Sequence, residues 1–433
     1  MKVLVIGCAK SGLWVSKLLH REGYDVTITD QREIKEKEEL EALGVHVYDL
    51  GHPGFLMNTE WDYVVKNPGI PYTAPFVKYF TDNGVTVYTE IEIAIRYAPQ
   101  FVYGAITGTN GKTTTTTMLY EILSKKGLAF ASGNIGTALS DTVYHYGKEK
   151  ANVSLEISAL QLVGCPSFHP LVSVIMNLTP DHLDFFATLD EYYQAKCLVY
   201  RNQTGDEWFL KNLDDREIVS RCNDVPCRTV TFSLYHEADL MIEGDWITLF
   251  HEKLFRKDDL KIVGMHNVQN AMVAAAMAYR MGVDVKTIRT TLQEFQGIEH
   301  RIEYVRTLKG VSYYNDSKGT NVDSTVMALR AFERPVILLA GGHDKKTGFA
   351  DLYNYTDRIK HLIVFGETKE ELSHLKKDAI VVENMKEALD KAYDIAEEGD
   401  IVLLSPACSS YDQFKNFEER GRIFKEYVNN LHD

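Results

Sequence analysis

The sequence predicts an α/β protein of three domains, each built on a mainly parallel sheet flanked by helices. Three observations carry that expectation. Short apolar runs alternate with helix-patterned segments along nearly all of the 433 residues. Polar, glycine-bearing loops follow the apolar runs at their C-terminal ends, where open α/β sheets bind ligands. The length exceeds what a single hydrophobic core organises and suggests about three domains. The expected divisions are 1–96, 97–298 and 299–433.

In the first domain, residues 3–6 and 25–29 read as strands around a helical segment at 13–19. Gly7-Cys-Ala-Lys-Ser-Gly12 joins the first two elements and Asp30 closes the third, the start of a Rossmann-like βαβ unit with a carboxylate about 20 residues after the glycines. Ala9 stands where the dinucleotide fingerprint has its middle glycine, so a nucleotide-bearing substrate is expected rather than an ordinary NAD site. The Lys/Glu-rich stretch 33–43 reads as a solvated helix, and Asn67-Pro-Gly-Ile70 closes another strand at 63–65. A helix over 90–97 leads into the second domain.

The second domain opens with the stretch around which the chain is organised. An apolar run, 101–106, enters Gly108, Thr109, Asn110, Gly111, Lys112, Thr113 and Thr114, and a helix is expected over 114–126. Glycines let backbone N–H groups converge on phosphate oxygens, the helix N-terminus adds partial positive charge, and Lys112 adds a full one. A hydroxyl after the lysine suits the Mg²⁺ that accompanies ATP. Ile106 replaces the first Walker glycine, so this is a shortened P-loop.

Further loops follow. Gly133-Asn134-Ile-Gly136 is a glycine-flanked turn, and the run 153–158 is expected to set Glu156 and Ser158 on one side of a strand. The run 171–176 releases into Asn177-Leu-Thr-Pro-Asp-His182-Leu-Asp184. A carboxylate at a buried strand end is a poor way to fill a core, whereas Mg²⁺ explains it. His182 alone reads as an ordinary loop histidine, and Lys196, in a helix over 188–201, as a solvated one. Short strands between 206 and 250 suggest a small accessory sheet. Asn267 and Asn270 share a face of an alanine-rich helix and suit a base or phosphate, with helix capping the plainer role of Asn267. The third domain repeats the pattern, with polar loops at 315–321, 340–345 and 405–417.

Composition excludes several classes. A net charge of −14 and the absence of a basic block argue against nucleic-acid binding. Six scattered cysteines without a C-x-x-C pair read as reduced thiols. No secretory signal precedes the first strand and no apolar stretch is long enough to span a membrane, so a cytoplasmic protein without membrane insertion is expected.

Taken together, Gly108-Thr-Asn-Gly-Lys-Thr113, Asp181-His-Leu-Asp184, His266-Asn-Val-Gln-Asn270, His300-Arg301, Asn315-Asp-Ser-Lys-Gly-Thr-Asn321 and Leu404-Ser-Pro-Ala-Cys408 resemble, in order, the motifs of the Mur ligases. The resemblance spans essentially the whole chain. It implies an ATP-dependent, amide-bond-forming ligase of peptidoglycan precursor synthesis that works through an acyl phosphate and a tetrahedral intermediate. Gly341-Gly-His-Asp-Lys345 and the stretch 405–421 favour, within the family, addition of D-glutamate to UDP-N-acetylmuramoyl-L-alanine.

By the same resemblance the P-loop, Asn267, Asn270, Arg301, Asp316 and Lys318 would hold ATP. Ser11, Asp30, Arg32, Asn67, Gly69, Asn134, Ser158 and His182 would hold the UDP-substrate, and Thr320, Lys345, Ser410 and Phe417 the D-glutamate. Thr113, Glu156, His182 and Lys196, the last as a CO₂-derived carbamate, would serve two Mg²⁺ ions. Lys112, Glu156, His182 and Lys196 would be the catalytic set, in a monomer. Phe185-Phe186 and Tyr411 depart from the family pattern and bear on substrate fit.

Rival readings explain less. The nearest rivals are the L-alanine-adding muramate ligase and a folylpolyglutamate synthetase, and the first domain disfavours the latter, because that group lacks it. A nicotinamide oxidoreductase leaves the P-loop and Glu156 without a role, and a nucleotide-binding regulator has no use for a complete catalytic set. Replacement of the P-loop lysine, Lys112→Ala, is expected to abolish ATP-dependent phosphate release while the protein still folds; release at the wild-type rate would remove the motif from the reaction.

Overall fold

The computed structural model describes residues 1–180, 185–186, 188–343 and 348–432. The first sheet holds β1 (Lys2–Ile6), β2 (Asp25–Thr29), β3 (His46–Tyr48), β4 (Tyr63–Lys66) and β5 (Val87–Thr89), all parallel, in the order β3-β2-β1-β4-β5. Its strands are buried on both faces and read as continuous apolar runs for that reason. Connections leave β1 and β4 in opposite directions, so a crevice opens between their C-terminal ends. The expected helix over 33–43 is shorter, Lys37–Leu43. Ile34 is buried instead, its N–H donates to the Asp49 carboxylate at 3.3 Å, and Lys37 pairs with the same side chain at 2.9 Å.

The second sheet contains β6 (Val102–Thr107), β7 (Ala129–Gly133), β8 (Asn152–Glu156), β9 (Val172–Ile175), β10 (Gly205–Asn212), β11 (Cys227–Phe232), β12 (Leu240–Glu243), β13 (Trp246–Leu249) and β14 (Glu252–Arg256). Their order is β14-β13-β12-β11-β10-β9-β6-β8-β7, parallel from β7 to β12 and antiparallel beyond. The accessory strands therefore extend the central sheet rather than forming a separate one. A single parallel contact, Phe232 with Leu240, makes the junction. The switch of direction falls between β6 and β9.

The helix after the P-loop starts at Lys112, two residues earlier than expected, because Gly111 at φ +83° turns the chain straight into it. Thr188 caps the helix Leu189–Cys197, accepting from the Glu191 N–H at 3.1 Å, and the expected continuation to 201 becomes a 3₁₀ turn, Leu198–Tyr200. Phe186, one of the two departures from the family pattern, packs on the Tyr192 ring at 5.5 Å. The other, Tyr411, is exposed.

The chain divides into two compact units, 1–257 with 269–292 and 258–268 with 293–433. The first contains both sheets above. The helix Glu90–Arg96 ties them together: Glu90 accepts from the Ser140 N–H, and Glu92 accepts from the Ser167 N–H at 2.9 Å while pairing with Arg96 at 2.8 Å. The second unit contains β15 (Glu303–Leu308), β16 (Val311–Asn315), β17 (Val336–Gly341), β18 (Ile359–Phe365), β19 (Ile380–Val381) and β20 (Ile401–Leu404), in the order β15-β16-β20-β17-β18-β19. Among the described strands of this sheet, only the β15–β16 pair is antiparallel.

Burial pushes the Glu90 carboxyl up from 4.5 to about 7, against the pull of the Ser140 hydrogen bond. A carboxyl raised in the folded state contributes stability that is complete below its unfolded pKa and is lost as pH rises through the folded one. Stability is therefore expected to fall between pH 5 and pH 8 by up to roughly 3 kcal/mol from this group, and Glu90→Gln is expected to flatten that slope in urea unfolding. Equal slopes for the two proteins would assign the pH dependence elsewhere.

Candidate active site

The P-loop is the turn from β6 into the helix Lys112–Ser124. Gly108 lies at φ +138°, and a Cβ there would come within 2.9 Å of the Met176 Cβ; one on Gly111 would come within 2.6 Å of the Asn270 Oδ1. Both positions need glycine for space as well as for backbone angle. No side chain caps the helix, so its first N–H groups face the loop. The Lys112 Nζ folds back to donate to the carbonyls of Gly108 (2.9 Å) and Thr109 (2.8 Å).

Sequence reasoning gave no role to Asn177, which follows β9. Its Oδ1 accepts from the N–H groups of Thr109 (3.1 Å) and Asn110 (2.8 Å), and its Nδ2 donates to the Asn110 carbonyl at 3.1 Å. Because β9 neighbours β6, one side chain at the switch point braces the whole turn. The signal was present in the sequence as a polar residue at a strand end, but nothing there said which strand lay beside β6.

Glu156 ends β8 on the other side of β6, in register with Ile106. It is 2% exposed; Oε1 accepts from the Asn134 Nδ2 at 2.8 Å, and Oε2 has no hydrogen-bond partner among the described residues. An unsatisfied buried carboxylate oxygen is costly, and a cation offsets it. Thr113 is half-buried in the first turn of the P-loop helix, and Thr114 is buried. Asn270 lies close to the loop as well, its Oδ1 accepting from the Thr115 hydroxyl at 3.3 Å.

Lys196, expected from its residues alone to be solvated, is 2% exposed. Its Nζ donates to the Gly108 carbonyl at 2.9 Å and sits 4.5 Å from the centre of the Tyr192 ring. No local pattern announces this, because the helix is short and its buried face includes two tyrosines and the lysine. Ser158 differs from expectation too. β8 stops at Glu156, so the two-residue period does not reach Ser158, which instead forms a capping box with Gln161 on the helix Ala159–Val163. His182 lies outside the described residues.

The β1–β4 crevice of the same unit holds a cavity of about 570 Å³ lined by Gly7, Asp30, Arg32, His52, Asn67, Gly69, Phe76 and others. Asp30 braces its rim, accepting from the N–H groups of Cys8 (2.7 Å) and Arg32 (2.9 Å), while the Arg32 side chain is exposed. The Asn67 Nδ2 donates to the Ser11 Oγ at 3.0 Å and its Oδ1 accepts from the Gly69 N–H at 3.0 Å. Beneath them Lys66, another residue the sequence did not single out, is 1% exposed and donates to the Ile70 carbonyl at 2.8 Å. Burial brings its pKa down to about 8.

In the second unit three loops meet at neighbouring strand ends, after β16, β20 and β17. Asp316 is buried, with Oδ2 accepting from the Ser405 hydroxyl at 2.7 Å and Oδ1 from the Ile302 N–H at 3.2 Å; burial pushes it up to about 7. Arg301 has a buried Nε without a hydrogen-bond partner among the described residues. Asn267, the third residue of the helix Met265–Arg280, donates to the Val263 carbonyl at 2.8 Å. The Lys318 Nζ lies 5.9 Å from the Phe417 ring centre. Thr320 follows in the same loop, its N–H donating to the Lys318 carbonyl at 2.8 Å, and Ser410 is buried.

Arg420, fully buried, donates to the Ser317 Oγ (3.0 Å) and carbonyl (2.9 Å) and to the Cys408 (3.2 Å) and Ser409 (3.3 Å) carbonyls, so it locks two of the three loops together. Lys345 lies outside the described residues.

Residues 106–278 match the family model described as Mur ligase middle domain, and 300–408 the one described as Mur ligase, glutamate ligase domain. The chain is 40% identical to the UDP-N-acetylmuramoylalanine–D-glutamate ligase of Geobacillus sp. (strain WCH70), over 99% of this chain and 98% of that one. It is 38% identical to the protein of the same name from Bacillus subtilis (strain 168), over 99% and 97%. Among solved structures, UDP-N-acetylmuramate-alanine ligase MurC from Thermotoga maritima aligns over 99% of both chains with a TM-score of 0.60 at 20% identity, which shows a shared fold.

If Asn177 braces the P-loop, Asn177→Ala is expected to raise the KM for ATP by about tenfold, the loss of roughly one net hydrogen bond to the loop, and to lower the melting temperature. An unchanged KM would mean that the loop holds its shape without this side chain.

Proposed function

The chain belongs to the Mur ligase family, and from that premise we propose that it joins D-glutamate to UDP-N-acetylmuramoyl-L-alanine, converting ATP to ADP and phosphate, in peptidoglycan precursor synthesis. The observation that carries this reading is the match, at 38–40% identity over nearly all of both chains, to relatives that bear that name. The substrate carboxylate takes the γ-phosphoryl group of ATP to become an acyl phosphate. The amine of D-glutamate attacks its carbonyl carbon, and the tetrahedral intermediate releases phosphate as the amide forms.

The protein's part in such a reaction is to position anions and neutralise developing charge. Lys112 and the open N–H groups of the P-loop helix hold the β- and γ-phosphates. The unpartnered Glu156 Oε2 and the Thr113 hydroxyl fit one Mg²⁺, and His182 with Lys196, as a carbamate, would serve a second. Mg²⁺ supplies charge neutralisation on the phosphoryl oxygens. Tyr192 covers the Lys196 amine, which shields a carbamate there from bulk water. Asn134, hydrogen-bonded to Glu156, faces the path of the muramoyl-peptide. The β1–β4 crevice takes the UDP portion, with Ser11, Asp30, Arg32, Asn67 and Gly69 around it. Thr320, Lys345, Ser410 and Phe417 take D-glutamate.

We assign the boundaries of the three domains to 1–96, 97–298 and 299–433, and the working unit to a cytoplasmic monomer, in keeping with soluble nucleotide substrates. No described helix is long and apolar enough to cross a membrane.

Phosphate release from ATP with UDP-N-acetylmuramoyl-L-alanine, measured with D-glutamate, L-glutamate, L-alanine and D-alanine in parallel, is expected only with D-glutamate. The product should be heavier by one glutamyl residue. Turnover with UDP-N-acetylmuramate and L-alanine instead would move the chain to another branch of the family.

A further inference from the structure

The cavity in the β1–β4 crevice has one wall that the assigned substrate residues do not supply. His52 and Phe76 both line it, and their rings stack face to face, with centroids 4.2 Å apart and planes 9° from parallel. His52 is half-buried, and burial lowers its pKa, which favours the neutral imidazole. Its Nδ1 lies 2.9 Å from the Thr29 Oγ1, and that hydroxyl donates to the Gly51 carbonyl at 3.3 Å. With its single proton directed to the Gly51 carbonyl, the Thr29 hydroxyl accepts from the imidazole; that assignment puts the ring proton on Nδ1 and leaves Nε2 as a bare acceptor. Among the described residues Nε2 has no hydrogen-bond partner.

Two of the other polar side chains around the cavity, Asp30 and Asn67, are committed to its frame. Both Asp30 oxygens accept backbone N–H groups, and Asn67 is held at both ends by Ser11 and Gly69. A neutral acceptor on an aromatic stack is what recognises the N3–H of uracil. Cytosine offers a lone pair at N3 instead, and two facing lone pairs repel.

We propose that His52, held flat by Phe76 and oriented by Thr29, is the residue that selects uracil over cytosine in the nucleotide-linked substrate, its Nε2 accepting the N3–H of the base. The inference rests on the reading of this crevice as the UDP site. It gives a specificity role to two residues outside the glycine-rich loop and to a hydroxyl beneath them.

Isothermal titration of the full chain with UDP and with CDP tests it. The wild type is expected to bind UDP at least about tenfold more tightly than CDP. His52→Phe keeps the stack but loses the acceptor, and it is expected to bind the two nucleotides equally, at about the wild-type affinity for CDP. His52→Gln retains an acceptor on a shorter lever and is expected to restore part of the preference. In turnover, His52→Phe is expected to raise the KM for the UDP-substrate without changing the KM for ATP or for D-glutamate, which a merely destabilised protein would not do. A His52→Phe protein that still prefers UDP as the wild type does would overturn the assignment to His52. A wild type that binds UDP no better than CDP would overturn it as well. Failure of UDP to bind the wild type at all would overturn the reading of the crevice itself, a separate and distinguishable outcome.

Discussion

The carbonyl oxygen of Gly108 accepts from two ammonium groups, those of Lys112 and Lys196, each at 2.9 Å. One lysine comes from the P-loop's own helix and the other from a helix more than 80 residues later, so the contact fixes the loop against the rest of the central sheet. It also places two positive charges within a few ångströms of each other in a chain of net charge −14. The local positive field that ATP needs is thus built from a few groups rather than from overall composition.

What brings those groups together is the order of strands. In the central sheet β6 lies between β9 and β8, so the P-loop, Asn177 and Glu156 stand side by side at one edge although they are distant in sequence. The first sheet uses the same geometry at β1 and β4, where the glycine-rich turn meets the Asn67 loop over a cavity. In the second unit the ends of β16, β20 and β17 converge in the same way, with Arg420 as the internal brace. Each site follows from parallel pairing plus a reversal or insertion in strand order, which aims polar strand ends at a common point.

This is why the sequence yields the parts and not all of the assembly. The P-loop, the strand ends carrying Glu156 and Asp316, and the three α/β blocks were legible because glycines, caps and apolar runs are local signals. Asn177, Lys66 and Arg420 were not, since their importance depends on which strand or loop lies next to them. Lys196 was misread from its residues for the same reason. A lysine in a polar helix looks solvated until the helix is seen to bury it against Gly108, and only the family resemblance pointed the other way. The stretch before Lys37 was misread because one buried residue, Ile34, diverts the backbone to Asp49. The strands after β11 were misread because one register contact decides whether a meander joins a sheet or stands apart.

Two of the buried polar atoms left without a partner among the described residues belong to ionisable side chains, Glu156 Oε2 and Arg301 Nε. Elsewhere, buried charges are answered within the protein: Glu92 by Arg96 and Ser167, Arg420 by four acceptors, Lys66 by a carbonyl and the Tyr72 ring. A fold that satisfies its charges this thoroughly does not leave two exceptions without consequence. The exceptions have opposite signs and ask for opposite ligand chemistry, a cation at Glu156 and a hydrogen-bond acceptor at Arg301. Each unsatisfied group is an argument for a ligand in its own unit that is independent of the P-loop glycines, since it comes from what the packing leaves undone.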